Sequence, residues 1–372
     1  MGDVVISEKK SRFERVERKQ LKKVLSFLLL KTYVLTKREK EMSDNKDNNL
    51  IDPYKRKIDY LRLSITDRCN LRCTYCMPEE GVKSKSHDEI MRIEEIYAFA
   101  KAAVEVGLTR IRLTGGEPLI RRGVVDLIRN LNALPDLKEV SMTTNAILLG
   151  DMAEELFEAG LKRVNISIDT LDPKKYEELT RWGSLEKALD GMRAAFDVGM
   201  APVKINVVVL KGVNDDFEPF AKLTYDYPVH VRFIEYMPAF YEERGDDFVS
   251  GKELERRVKA YGEAYDADAP PVEGAGPARY YHLKGAKGTL GVIGTSKGHF
   301  CDSCNRVRLT ADGKLRTCLF SDRMIDVLSP IREGVGNEGI KKIIREAIVA
   351  KPKDRLTEKE KKMGRKMSQI GG

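Results

Sequence analysis

From residue 61 onward, short runs of β-branched and aliphatic residues alternate with longer stretches whose apolar positions recur every three or four residues. The short runs predict strands over Leu61–Thr66, Arg110–Thr114, Glu139–Thr143, Arg163–Ile168, Val203–Leu210 and Val229–Glu235. The stretches between them predict helices over Ile93–Val106, Val124–Leu134, Met152–Ala159, Leu185–Val198 and Phe217–Tyr225. Strand, helix and strand in succession form a crossover unit, so neighbouring strands should run parallel with right-handed connections. Six such units fall short of a closed ring. The expected fold class is α/β, an incomplete (β/α)6 TIM-type barrel, with its chemistry at the carboxyl ends of the strands.

The rhythm lapses between about residues 240 and 280, where Pro270-Pro271 and Gly274-Ala275-Gly276-Pro277 are strong breakers. Residues 280 to 320 return to short strand-like pieces, and the chain ends in a basic helical stretch and Ile370-Gly371-Gly372. The expected division is a basic extension over 1–41, a partial barrel over 42–240, a smaller C-terminal iron–sulfur and substrate-binding domain over 241–330, and a helical segment with a glycine tail over 331–372. Met42 offers a second start, so residues 1–41 read as an extension or a misassigned start codon.

Composition narrows the field. With 372 residues and 42% hydrophobic side chains, the chain can bury sizeable cores and is not wholly disordered. Apolar runs such as Phe27–Leu30 and Val207–Leu210 are far below the roughly 20 residues of a membrane-spanning helix, so no membrane is expected. The net charge of +8 sits at the ends: residues 1–41 carry +6 and residues 341–366 carry +7, leaving −5 for the remainder. The high pI therefore gives no reason to expect a nucleic-acid partner.

The six cysteines fall into two trios, Cys69, Cys73, Cys76 and Cys301, Cys304, Cys318. A long chain without a convincing signal peptide favours reduced, metal-binding thiols in a cytoplasm over a disulfide framework. Cys69-Asn-Leu-Arg-Cys73-Thr-Tyr-Cys76 has the spacing C-x3-C-x2-C and follows the first strand directly. Three thiolates can hold three irons of a [4Fe–4S] cluster and leave the fourth open to a small molecule. The alternative is zinc completed by His87, although structural zinc sites favour paired C-x2-C units. The second trio, C-x2-C-x13-C, is again one ligand short; a zinc ribbon completed by His282 or His299 competes with a second cluster. The company of another three-cysteine site favours the cluster.

The cysteine spacing, Tyr75 before the third cysteine, and Gly115-Gly116-Glu117-Pro118 after the second strand resemble the radical S-adenosylmethionine enzymes. In that superfamily the open iron chelates S-adenosylmethionine, and one electron splits its sulfonium to give a 5′-deoxyadenosyl radical. The second trio, with Asn305-Arg306-Val307-Arg308 and the terminal Gly371-Gly372, resembles the GTP 3′,8-cyclase family within it, from about residue 50 to the end. The resemblance implies a lyase that converts GTP to 3′,8-cyclo-7,8-dihydro-GTP in molybdenum or tungsten cofactor biosynthesis. It implies two [4Fe–4S] clusters, a flavodoxin- or ferredoxin-type electron donor, a downstream cyclic pyranopterin monophosphate synthase, and a homodimer.

Carried over by position, Tyr75, Gly116, Ser167 and Met237 would contact S-adenosylmethionine, and Arg62, Arg112, Thr143, Lys204, Arg306, Val307 and Arg308 would contact GTP. Arg62, Arg306 and Arg308 with Gly371 and Gly372 would serve catalysis, and Arg110 is a further phosphate candidate. The residues favour an anionic substrate independently. Arg306 and Arg308 alternate, so on an extended segment both guanidinium groups share a face, and Arg62, Arg112 and Lys204 fall inside barrel strands. The competing reading of each cation is a surface ion pair. Two departures from the family bear on loop shape: Ala146 stands where glycine is commoner, and Ala239-Phe240 follows Met237-Pro238. Rival functions are a radical peptide maturase with an auxiliary cluster and a non-enzymatic nucleotide-binding protein with two zinc sites.

Overall fold

The computed structural model describes residues 50–82, 85–236, 248–261, 263–264, 276–294 and 299–354. Expectations for residues 1–41, Met237, Ala239-Phe240, Gly371 and Gly372 lie outside these residues.

Strands β1 (Tyr60–Ser64), β2 (Arg110–Thr114), β3 (Glu139–Thr144), β4 (Val164–Ser167), β5 (Lys204–Val209) and β6 (His230–Glu235) pair in sequence order, all parallel. Helices Ile93–Glu105, Val124–Asn132, Leu149–Glu158, Leu185–Asp197 and Glu218–Asp226 lie between them, within a few residues of the expected bounds. A helix over Pro173–Thr180 was not anticipated, although its signals are plain: Asp172 accepts from the main-chain N–H groups of Lys174 and Lys175, and Pro173 opens the first turn. β1 ends at Ser64, short of the expected Thr66, because the chain leaves the ladder there to begin the first cysteine loop.

The sheet does not stop at six strands. β9 (Thr289–Ile293) adds parallel to β6, and β10 (Arg306–Leu309) adds parallel to β1 at the other edge. β8 (Arg279–His282) and β7 (Glu263–Ala264) continue one edge antiparallel; β11 (Lys314–Arg316) and β12 (Ile325–Asp326) continue the other. The segment expected as a smaller C-terminal domain extends the barrel sheet on both sides, so that among the described residues twelve strands form one sheet.

Side-chain alternation explains this. Leu61 and Leu63 stand beside Val307 and Leu309, and Val231 and Phe233 beside Leu290 and Val292. All eight belong to the buried apolar cluster that also takes in Ile96, Phe99 and Ala103 of the helix Ile93–Glu105. Each edge strand therefore completes an apolar layer already begun by its neighbour. The alternate positions, Tyr60, Arg62, Arg110, Arg112, Ser141, Asn165, Lys204, Arg232, Arg306 and Arg308, face the opposite, inner side.

Candidate functional site

The loop after β1 carries the first cysteine trio, and backbone contacts hold it against the glycine pair. Gly116 N–H donates to Thr66 O at 2.9 Å, and Glu117 N–H donates to Arg68 O at 2.8 Å. A Cβ on Gly116 would sit 2.1 Å from Arg68 O, so glycine is required by the cysteine loop itself. The close approach is to the chain's own backbone. Glu117 is buried, accepting from Leu119 N at 3.0 Å, Thr144 Oγ1 at 2.7 Å and Asn145 N at 2.7 Å. Burial pushes its carboxyl up to about 7, against the pull of those three donors. Asn145 in turn donates to Asn70 Oδ1 at 2.7 Å and stands 3.9 Å from Cys69 Sγ. Its neighbour Ala146, at the position where glycine is commoner, has φ 63°, which is the left-handed conformation glycine adopts freely.

The three thiols of this loop are half-buried. Burial pushes Cys69 up to about 11, with Glu117 and Cys76 adding to the rise. Cys73 is held well above its usual value by burial and by Asp169, Cys76 and Cys69. Three thiolates so close to one another oppose each other's ionisation, and a cationic iron centre is what would remove that opposition. The donor set fits an iron–sulfur cluster. Tyr75 donates to Asp169 Oδ2 at 2.6 Å, pinning the loop to the end of β4, and burial holds Asp169 up at about 6. Ser167 ends β4 beside Asn206.

Two members of the second trio lie between β9 and β10, where the chain crosses the sheet, and the third lies between β11 and β12. Cys301 belongs to the short helix His299–Asp302, Cys304 precedes β10, and Cys318 follows β11. All three line one cleft with Arg56, Arg306, Arg308, Thr317, Phe320 and Lys351. Burial acts to raise the Cys304 thiol, but Lys351, a main-chain N–H and two guanidinium groups hold it below its usual value. Three soft donors in a cation-lined cleft fit a second cluster. His87 is exposed on its own turn, and His282 ends β8 near the far edge of the sheet. Among the described residues no group of three or more His, Cys, Asp or Glu side chains stands close enough to hold a single metal ion, and the side chain of His299 lies outside them.

Between the trios runs a belt of cations. Arg308, Arg62, Arg112 and Ser141 stand at one register level across four adjacent strands. Thr143, Asn165, Lys204 and His230 form the neighbouring level. Arg232 reaches Asn165 Oδ1 at 2.6 Å, while its Nε is buried without a hydrogen-bond partner. Burial lowers all of these bases, and each is pushed further by other cations: Lys204 falls to about 6, Arg308 and Arg232 to about 10, and Arg62 well below its usual value. Unit charges about 5 Å apart repel by about 3 kcal/mol at an effective dielectric of 20. Negative charge placed along such a belt would offset that repulsion.

Not every expected contact lies in it. Arg110 pairs with Asp59 at 3.1 Å with its side chain 42% exposed, and Val307 turns its side chain into the core. Sequence reasoning missed Arg232, Glu117, Asp169, Arg56 and Lys351. Arg232 was within reach, since it alternates with His230 on a predicted strand just as Arg306 alternates with Arg308.

Barrel, cysteine loop and glycine pair together define a radical S-adenosylmethionine protein: residues 63–224 match the Radical SAM superfamily, and residues 229–357 match Molybdenum Cofactor Synthesis C. Among solved structures, Streptococcus suis SuiB bound to S-adenosylmethionine shares the fold, with TM-score 0.55 and 15% identity over 83% of this chain and 73% of that one. GTP 3′,8-cyclases from Pelotomaculum thermopropionicum and Moorella thermoacetica are each 47% identical, covering 86% of this chain and 99% of theirs. The one from Peptoclostridium acidaminophilum is 46% identical over 88% of this chain and 100% of its own. The chain belongs to the GTP 3′,8-cyclase family.

Proposed function

We propose that the protein is a GTP 3′,8-cyclase of molybdenum or tungsten cofactor biosynthesis, joining ribose C3′ to guanine C8 to give (8S)-3′,8-cyclo-7,8-dihydro-GTP. The observation that carries this reading is the belt Arg308–Arg62–Arg112 on the inner face, with the buried Lys204 and Arg232, in a family whose relatives are named for GTP. A triphosphate of roughly four negative charges would offset the mutual repulsion of these cations, and guanidinium forks suit its oxygens. Thr143 and the main chain at Val307 border the same inner face.

Cys69, Cys73 and Cys76 would hold a [4Fe–4S] cluster, which when bound supplies the one-electron cleavage of S-adenosylmethionine; Cys301, Cys304 and Cys318 would hold a second. Tyr75 lies in the first cysteine loop, Gly116 follows β2 and Ser167 ends β4; these three, with Met237, would contact S-adenosylmethionine. With substrate bound, a water-poor inner face would protect a radical from outside hydrogen donors, and a fixed triphosphate would hold the C3′ hydrogen in one position. Gly371 and Gly372 complete the proposed catalytic set with Arg62, Arg306 and Arg308.

Family membership supports a flavodoxin- or ferredoxin-type donor, a cyclic pyranopterin monophosphate synthase as consumer of the product, a homodimer, and a cytoplasmic setting. Among the described residues no helix is long and apolar enough to cross a membrane. Anaerobic incubation with GTP, S-adenosylmethionine and dithionite tests the proposal. GTP-dependent 5′-deoxyadenosine with a cyclised nucleotide is expected; 5′-deoxyadenosine that forms equally without GTP, or none at all, rejects it.

A further inference from the structure

Lys351, two residues beyond the helix Gly336–Val349, is only 4% exposed. Its Nζ donates to Arg306 O at 2.9 Å and to Thr317 O, and stands 3.7 Å from Cys304 Sγ. Arg306 follows Cys304 closely and Thr317 immediately precedes Cys318, so one amine joins the two segments that carry two of the three thiols. Carbonyl oxygens only accept, and a lysine nitrogen facing three acceptors uses all three protons of an ammonium. Arg56 extends the same arrangement to the third thiol: its guanidinium donates to Cys301 O at 2.7 Å, Pro352 O at 2.6 Å and Lys353 O at 2.8 Å. Asp52 fixes that guanidinium through a 2.6 Å contact with Nε.

We propose that Lys351 is a positioning residue of the second cysteine trio: it clamps the Cys304 and Cys318 segments together and sets a positive charge beside the cluster they hold. The proposal rests on the reading of that trio as an iron–sulfur site. An adjacent cation and N–H···S hydrogen bonds both favour the more negative, reduced state of such a cluster. A lysine that merely finished the preceding helix would leave the potential unaffected.

Full-length Lys351→Gln and Lys351→Met, reconstituted anaerobically, separate the two effects, because glutamine keeps two N–H donors without charge and methionine keeps neither. Iron per chain and EPR-monitored reductive titration of both clusters are the readouts. Lys351→Gln is expected to keep both clusters but to make the second at least tenfold harder to reduce, a shift of about 59 mV for one electron, with the first unmoved. Lys351→Met is expected to lose iron from the second site as well, while retaining the first. Parental iron content together with an unshifted second potential in both variants overturns the proposal. Should neither variant fold, the unmutated protein carrying 15Nζ-lysine serves instead: pulsed EPR of the reduced second cluster should resolve a lysine 15N coupling, and its absence is equally fatal. A parent protein with no second iron–sulfur signal would refute the functional reading itself, a different failure from a signal indifferent to Lys351.

Discussion

Replacing Lys204 by methionine should make the unliganded protein more stable while spoiling its hold on GTP. Burial, with Arg232, Arg163 and Arg112 nearby, brings this ammonium from its usual 10.5 down to about 6. The unfolded chain keeps the proton up to about 10.5, whereas the folded chain releases it near 6. Between those values the folded state binds fewer protons, so stability rises with pH through the window; the penalty is in full force below the lower value and gone above the upper. At about pH 7.5 three units of the penalty remain, or about 4 kcal/mol, and at about pH 9.5 only about 1.4 kcal/mol. Methionine fills a similar volume without charge. Anaerobic urea unfolding should therefore show Lys204→Met more stable than the parent by up to about 4 kcal/mol near pH 7.5, with the gap narrowing by about pH 9.5. A bound triphosphate restores the charge on Lys204, so GTP binding near neutral pH should take up close to one proton in the parent and none through this residue in the variant. Calorimetry in buffers of different ionisation enthalpy reads that uptake. A variant less stable than the parent at both pH values, or one with the parent's proton uptake, would refute the reasoning.

Arg308→Ala removes one charge-assisted contact of about 1.5–3 kcal/mol, so GTP should bind roughly 10- to 150-fold more weakly and with a shallower salt dependence in equilibrium binding. Gly116→Ala puts a methyl 2.1 Å from Arg68 O; iron analysis and EPR should show the first cluster lost and the second kept. Glu117→Gln leaves either Leu119 N–H or Asn145 N–H facing an amide donor, which should cost about 1–3 kcal/mol in denaturant unfolding. An unchanged unfolding midpoint in that variant would mean that the buried acceptor is dispensable.

Much of the site was legible because its parts are local. Three thiols within eight residues, a glycine pair one strand later, and Arg306 alternating with Arg308 are features of spacing, and spacing survives without coordinates. Arg110 shows the limit: it occupies the same face of β2 as Arg112, but the sequence does not reveal that Asp59 waits beside it at 3.1 Å. Glu117 looked like an ordinary motif residue, and its role as acceptor at the end of β3 depends on groups 27 and 28 residues away.

By itself the sequence determined the parallel β/α rhythm, the two thiol trios and the family, since hydrophobic period and ligand spacing are properties of neighbouring residues. Only the tertiary structure decided where the last third of the chain goes. Val307 and Leu309 could have formed a separate core, but they match the apolar face of β1, while Leu290 and Val292 match that of β6. That choice sets Arg308 level with Arg62 and brings Lys351 against Cys304. Long-range pairing is fixed by which exposed apolar edges are left to cover, a property of the assembled sheet that no local pattern contains.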